Sequence, residues 1–268
     1  MACNAPSLCR SRLRRLEREA RHFYSGMTYE SAMSPRNFFY SHSYNLLYGV
    51  PTTLTGALGE WAYNEHLTFI GGLHNGWDVF DGPSDQIGFL AGARWRSCDE
   101  RTSLQVLATT GKDPLAVPGG PPAPAGRDTQ DAVSVIFSRQ LGCRWQYVFE
   151  QISGWQDRGS FEPAGIGTAD AEWYRFNQYL LYTINDCWRV GVRYEWFSAD
   201  DGARVATFGG QYQAATLGLN YAPTENVTIR PEVRWDRFEP HEPATPPGPF
   251  GFAHRSQFLA ALDVLVVF

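Results

Sequence analysis

Thr228, Arg230, Glu232, Arg234 and Asp236 recur at every second position, and Val227, Ile229, Pro231, Val233 and Trp235 fill the places between. Residues 188–196 repeat the pattern, with Arg189, Gly191, Arg193 and Glu195 set against Trp188, Val190, Val192, Tyr194 and Trp196. Successive side chains of a strand point to opposite faces, so each stretch predicts one charged face and one apolar face. Weaker copies run through 87–96, 102–110, 133–139, 144–150, 173–184 and 214–221. They add Arg94, Arg96, Arg144, Glu150 and Arg175 to the charged face, and the last strand adds Asp263. Charges of both signs at this density suit a water-filled space, because a dry interior exacts a large desolvation cost. Two roles stay open: a field that orders water and screens solutes, or a ladder of cross-strand ion pairs that braces the wall. Arg outnumbers acid on this face by eight to five in the residues just named, which predicts mild anion preference.

Other chemistry has little support. No GxSxG, HExxH or P-loop pattern occurs, and Gly165-Ile166-Gly167 lacks the strand-to-helix context of a nucleotide site. We expect no catalytic residue, cofactor or metal. Asp78, Asp81 and Asp85, or Asp200 and Asp201, could meet calcium on loops, but the EF-hand spacing is absent and solvated acids are the plainer reading. His66 reads as a turn residue and His74 as an interior one. Cys98, Cys143 and Cys187 sit in separate tight turns, too far apart to bridge one another, and are expected as free thiols. The net charge of −5, with no long charge run, argues against nucleic acid as a partner.

The elements that position these residues are read from the connections. Tight polar turns fall near 64–66, 98–100, 142–143, 185–187 and 225–226, and long loops near 79–85, 112–129, 158–170, 199–212 and 239–254. Short connections on one side and long ones on the other predict an all-β, antiparallel transmembrane β-barrel. A sheet can cross a bilayer only by closing on itself, since lipid satisfies no backbone amide. Tryptophan placement agrees: Trp61, Trp95, Trp145 and Trp188 lie near the tight turns, and Trp77, Trp155, Trp173, Trp196 and Trp235 near the long-loop ends. Two such bands match interfacial aromatic girdles, whereas a soluble sandwich would gather its aromatics mid-strand. The chain finishes on an alternating strand, Phe258 to Phe268.

Several segments resemble one family. FFYSHSYNLLYGVP at 38–51, GGLHNGWDVFD at 71–81, YEWFSADDGARV at 194–205, and TLGLNYAP followed by TIRPEVRWD at 216–236 are similar to the putative β-barrel porin-2, OmpL-like family. The resemblance covers 22–268 and implies a bacterial outer-membrane barrel with porin activity, embedded in the lipid bilayer and passing small hydrophilic solutes. A terminal Phe268 looks like the signal read by the outer-membrane assembly machinery. The alternative is a structural or adhesive barrel acting through its long loops, or a non-functional fragment. Residues 1–21, rich in Arg and without an apolar core, do not read as a signal peptide. They are expected to be helical or disordered, with a further strand over 18–28 as the other option. About eleven to twelve strands are expected, as the later part of an N-terminally truncated barrel of roughly sixteen. Residues 34–51, aromatic and bounded by Pro35 and Pro51, are expected to fold inward and narrow the pore, the alternative being an external loop.

Overall fold

Side chains that imitate a backbone turn build the short connections. Asn64 Oδ1 accepts the N–H groups of His66 and Leu67, each at 2.8 Å, and Asn185 Oδ1 does the same for Cys187 and Trp188 at 2.9 Å. Asp99 accepts the N–H of Arg101 at 3.1 Å, and Gly142 supplies a positive φ of 65°. Such bonds reverse the chain within a few residues, so the flanking strands pair at once.

In a computed structural model of the protein, residues 16–80, 87–112, 129–157, 161–162, 165–166, 170–200, 204–205, 208–241 and 248–267 are described. The strands are β1 (Leu16–Tyr24), β2 (Thr53–Ala62), β3 (Leu67–Trp77), β4 (Gly88–Arg96), β5 (Thr102–Lys112), β6 (Thr129–Leu141) and β7 (Trp145–Gln156). There follow a two-stranded hairpin, β8 (Phe161–Glu162) and β9 (Gly165–Ile166), then β10 (Ala171–Thr183), β11 (Trp188–Ala199), β12 (Gly210–Thr224), β13 (Val227–Pro240) and β14 (Ser256–Val266). All but the hairpin form one 12-stranded sheet in chain order, every neighbouring pair antiparallel. Strands β1 and β14 lie at its two edges and do not pair with each other.

The sheet is inside out relative to a soluble one. Phe89, Val106, Leu180, Val192, Leu217, Val233 and Leu262 are exposed on the outer face, while Glu150, Arg175, Arg193, Glu195, Arg230 and Asp236 are buried on the inner one. Apolar residues outward and charged residues inward is the pattern a lipid surround selects. Among the described residues no helix is long and apolar enough to cross a membrane.

What buries the inner face is the connection between β1 and β2. Its neck is closed by Ser25 N–H to the Thr52 carbonyl at 3.0 Å and by the Ser25 hydroxyl to the Pro51 carbonyl at 2.5 Å. Residues 26–50 run down the inner face to a 3-10 turn at Ser34–Arg36 and return through a π-helical turn at Asn45–Gly49. The sheet wraps this segment. Gln105 of β5 donates to the Gly26 carbonyl at 2.8 Å, Ser134 of β6 to the Met27 carbonyl at 2.5 Å, and Trp173 of β10 to the Gly49 carbonyl at 2.9 Å. Glycines make the close approach possible. A Cβ at Gly191 would stand 2.6 Å from the Phe38 ring, one at Gly218 2.9 Å from the Phe39 ring, and one at Gly49 2.9 Å from Ile152. Two apolar clusters result: one joins Met27, Tyr44 and Val50 to Trp77, Trp173, Phe197 and Tyr212, the other joins Phe39 to Val148, Tyr179 and Leu181.

Two expectations need correction. Residues 16–21, expected as helix or disorder with a strand over 18–28 as the other option, belong to β1, paired in register from Leu16↔Trp61 to Tyr24↔Thr53. Pairing with β2 satisfies backbone groups that a lone helix of this length could not stabilise. Cys143 is disulfide-bonded, whereas Cys98 and Cys187 are free. The distance between turns excludes a bridge among the turn cysteines and nothing more. Residues 1–15, Asp81, Asp85, Asp201, residues 113–128 of the long loop after β5 and Phe268 lie outside the described residues.

Candidate functional site

Strands β11, β12 and β13 set up the centre of the inner face. Their register aligns Arg193, Thr216 and Arg234 in one row, and Glu195, Ala214 and Asp236 in the next. Small inward residues on β12 let the long side chains of its neighbours reach across it. Arg193 therefore pairs with Glu195 at 2.7 Å, Glu195 with Arg234 at 2.8 Å, and Arg234 with Asp236 at 2.8 Å. Glu30 of the inserted segment extends the chain, 2.6 Å from Arg193. Every carboxylate in it is almost fully buried.

These charges hold backbone as well as each other. Glu150 accepts the Tyr29 N–H at 2.9 Å, Glu195 the Tyr44 N–H at 2.7 Å, Glu232 the Tyr40 N–H at 2.8 Å, and Glu30 the Ser43 N–H at 2.7 Å. In the opposite sense, Arg175 donates to the carbonyls of Tyr44 and Tyr48, Arg193 to Ser41, Arg234 to His42, and Arg230 to Ser34 and Asn37. Arg230 also pairs with Asp263. A loop buried without secondary structure has unsatisfied N–H and C=O groups, and wall charges supply the partners. The arrangement is a clamp. Rings add to it, with the Arg193 guanidinium 4.9 Å from the Phe39 centroid, that of Arg234 4.9 Å from Tyr44, and that of Arg175 4.2 Å from Phe197.

The sequence-derived set therefore divides. Glu150, Arg175, Arg193, Glu195, Arg230, Glu232, Arg234 and Asp236 share the inner face but lie buried beneath the segment, where bulk water was expected to touch them. They tolerate burial because partners surround them. Arg94 is half-buried, donating to Gln105 at 3.0 Å and 3.7 Å from Glu60. Arg96 ends β4 and is exposed, as is Arg189 at the start of β11. Arg144 is corrected: it lies in the turn before β7, exposed, and reaches the Tyr182 hydroxyl at 3.4 Å. Strand alternation does not extend into a turn.

The aromatic set divides too. Trp61, Trp95, Trp145 and Trp235 are exposed on the outer face, and Trp188 and Trp196 are half-buried there. Trp145 packs against Tyr182 with the rings tilted and centroids 4.4 Å apart, and Trp188 stacks on Tyr221 at 4.2 Å. Trp77 and Trp173 are corrected. They are 2% and 0% exposed and meet edge to face inside, with centroids 6.4 Å apart. A register shift between Leu54↔Trp77 and Gly56↔His74 turns Trp77 inward. Trp173 lies two residues before Arg175 and so shares its face; nearness to a strand end had suggested the girdle.

Sequence reasoning passed over Glu30, Ser41 and Asn177. Glu30 is the only acid between residues 25 and 52, which is the signal that could have marked it. Asp78 caps the start of β2 by accepting the Thr53 N–H at 2.7 Å, and His74 meets the Thr109 hydroxyl at 3.1 Å.

No curated protein matches the sequence. Among solved structures, the outer membrane channel DcaP of Acinetobacter baumannii is similar with a TM-score of 0.61 at 13% identity, over 93% of this chain and 71% of that one. OccAB1 of Acinetobacter baumannii is similar with a TM-score of 0.51 at 11% identity, over 69% of this chain and 52% of that one. At such identities the likeness concerns the fold. The family description "Putative beta-barrel porin-2, OmpL-like" matches residues 13–268. With an inside-out antiparallel sheet, a charged inner face and an inserted loop, the chain belongs to this family of outer-membrane β-barrel porins.

Proposed function

We propose that the protein conducts small hydrophilic solutes passively across the outer membrane, past a constriction formed by residues 25–52. The observation that carries this reading is the clamped segment. It occupies the inner face of β6 to β13 and leaves Glu60, Arg94 and Gln105, on the inner face of β2, β4 and β5, half-exposed. A solute path beside the segment is polar on both flanks. The reading requires a closed wall, so the edges β1 and β14 must find strand partners in the bilayer.

Reconstitution in planar bilayers tests it. Stepwise conductance is the expected result, and its absence in well-folded protein would sink the proposal. A second reading, a sealed structural barrel, is favoured by one observation: the charges of β7, β10, β11 and β13 lie buried beneath the segment. Conductance that appears only after the segment is shortened would select it.

A further inference from the structure

Below the tip of the segment, on the tight-turn side, lies a cavity of about 280 Å³ whose lining includes Tyr29, Arg36, Phe38, Asp186, Arg189 and Asn220. Arg230 of the clamp also lines it, but the other two arginines differ from the clamp. Arg175, Arg193, Arg230 and Arg234 each donate to carbonyls or carboxylates. Arg36 and Arg189 make no side-chain hydrogen bond and no ion pair among the described residues. Arg189 lies over the Phe38 ring, 5.4 Å from its centroid, which orients the guanidinium and leaves its N–H groups unused. Asn220 Oδ1 is buried without a partner. Rotation of this side-chain amide would turn its N–H donors into the same space. Of the nearby carboxylates, Asp263 is held by Arg230, and Asp186 sits exposed in its turn without an ion pair.

We propose that this cavity binds a small oxyanion, with Arg36 from the segment and Arg189 from β11 as its donors. Guanidinium forks match the oxygens of carboxylate and phosphate. Two forks from different elements suit an anion with acceptors on more than one side, and phosphate is compact enough for the space. A bound anion bridges the segment tip to the wall. This deepens the channel reading, since the site lies on the tight-turn side of the constriction.

Inorganic phosphate is the probe, and binding and transport are measured separately on the purified protein. Calorimetry should show saturable binding that Arg36→Gln and Arg189→Gln together weaken by about tenfold or more. Arg189→Lys should retain part of it. Both arginines are exposed and unpaired, so the variants should keep their circular dichroism spectrum. If the double variant fails to fold, Arg36→Gln alone serves. In bilayers, phosphate should lower chloride conductance in the parent and not in the double variant. No binding at millimolar phosphate by folded protein, or equal binding by the variants (an adventitious ion only), overturns the proposal. Phosphate binding without any conductance would sink the channel and keep the site, and conductance without phosphate binding would do the reverse.

Discussion

Glu195 shows how partners decide what an interior charge does. It accepts the Tyr44 N–H and pairs with two of the four clamp arginines, Arg193 and Arg234, with no exposed surface. Glu195→Gln leaves two buried guanidinium groups short of a counter-charge. Removing one partner of a buried ion pair typically costs about 3–5 kcal/mol, so the urea midpoint of the detergent-solubilised protein should fall clearly. An unchanged midpoint would mean the clamp is solvated. Any ion preference is expected from residues outside the clamp. Within the clamp Glu30, Glu150, Glu195, Glu232, Asp236 and Asp263 face Arg175, Arg193, Arg230 and Arg234, so no free cationic excess remains there. Arg189→Glu is expected to move the reversal potential in a salt gradient towards cation preference. A shift from Arg193→Gln of equal size, in protein of unchanged stability, would contradict the burial of Arg193.

At the scale of the element, the inserted segment follows the rule that irregular backbone at membrane depth survives only when protein or a cavity satisfies it. Its aromatic residues pack into space freed by glycines, Phe38 on Gly191 and Phe39 on Gly218. Replacing residues 34–50 with a short Gly-Ser link should raise single-channel conductance several-fold, because the inner face of β6 to β13 would open to water. Unaltered conductance would place the constriction elsewhere. Gly218→Val is the milder variant. A Cβ there would meet Phe39 at 2.9 Å, so the segment should loosen and become sensitive to protease while the sheet stays intact. Protease resistance equal to the parent's would show that the ring can give way.

For the whole molecule, closure is a matter of backbone hydrogen bonds at the two edges. A bilayer offers the outer amides of β1 and β14 no hydrogen bonds, and each unsatisfied group costs several kcal/mol. In the membrane-reconstituted protein those amides should exchange hydrogen as slowly as those of β7 and β10. Fast exchange at alternate positions along either edge would show the wall to be open, and a channel could not then be maintained. The chain spans 71% of the DcaP channel and 52% of OccAB1.

Most strands, their order and the two faces of the clearest ones were legible in the sequence, because alternation and turn chemistry are local; the strand Leu16–Tyr24 and the inward Trp77 and Trp173 were not. Residues 227–236 and Asn185 need no distant partner to be read. The family resemblance rested on the same local runs. The fate of the inner face was not local. Whether Arg193 meets water or Glu30 depends on residues 163 positions apart, and no periodicity carries that information. Trp77 changed faces through a register shift that only pairing with β2 reveals. Read alone, the residues of β11 and β13 assign a charged face and an apolar face. That the charged face grips the folded-in segment emerges once the chain is packed, because satisfying that segment's buried amides required the charges of the wall.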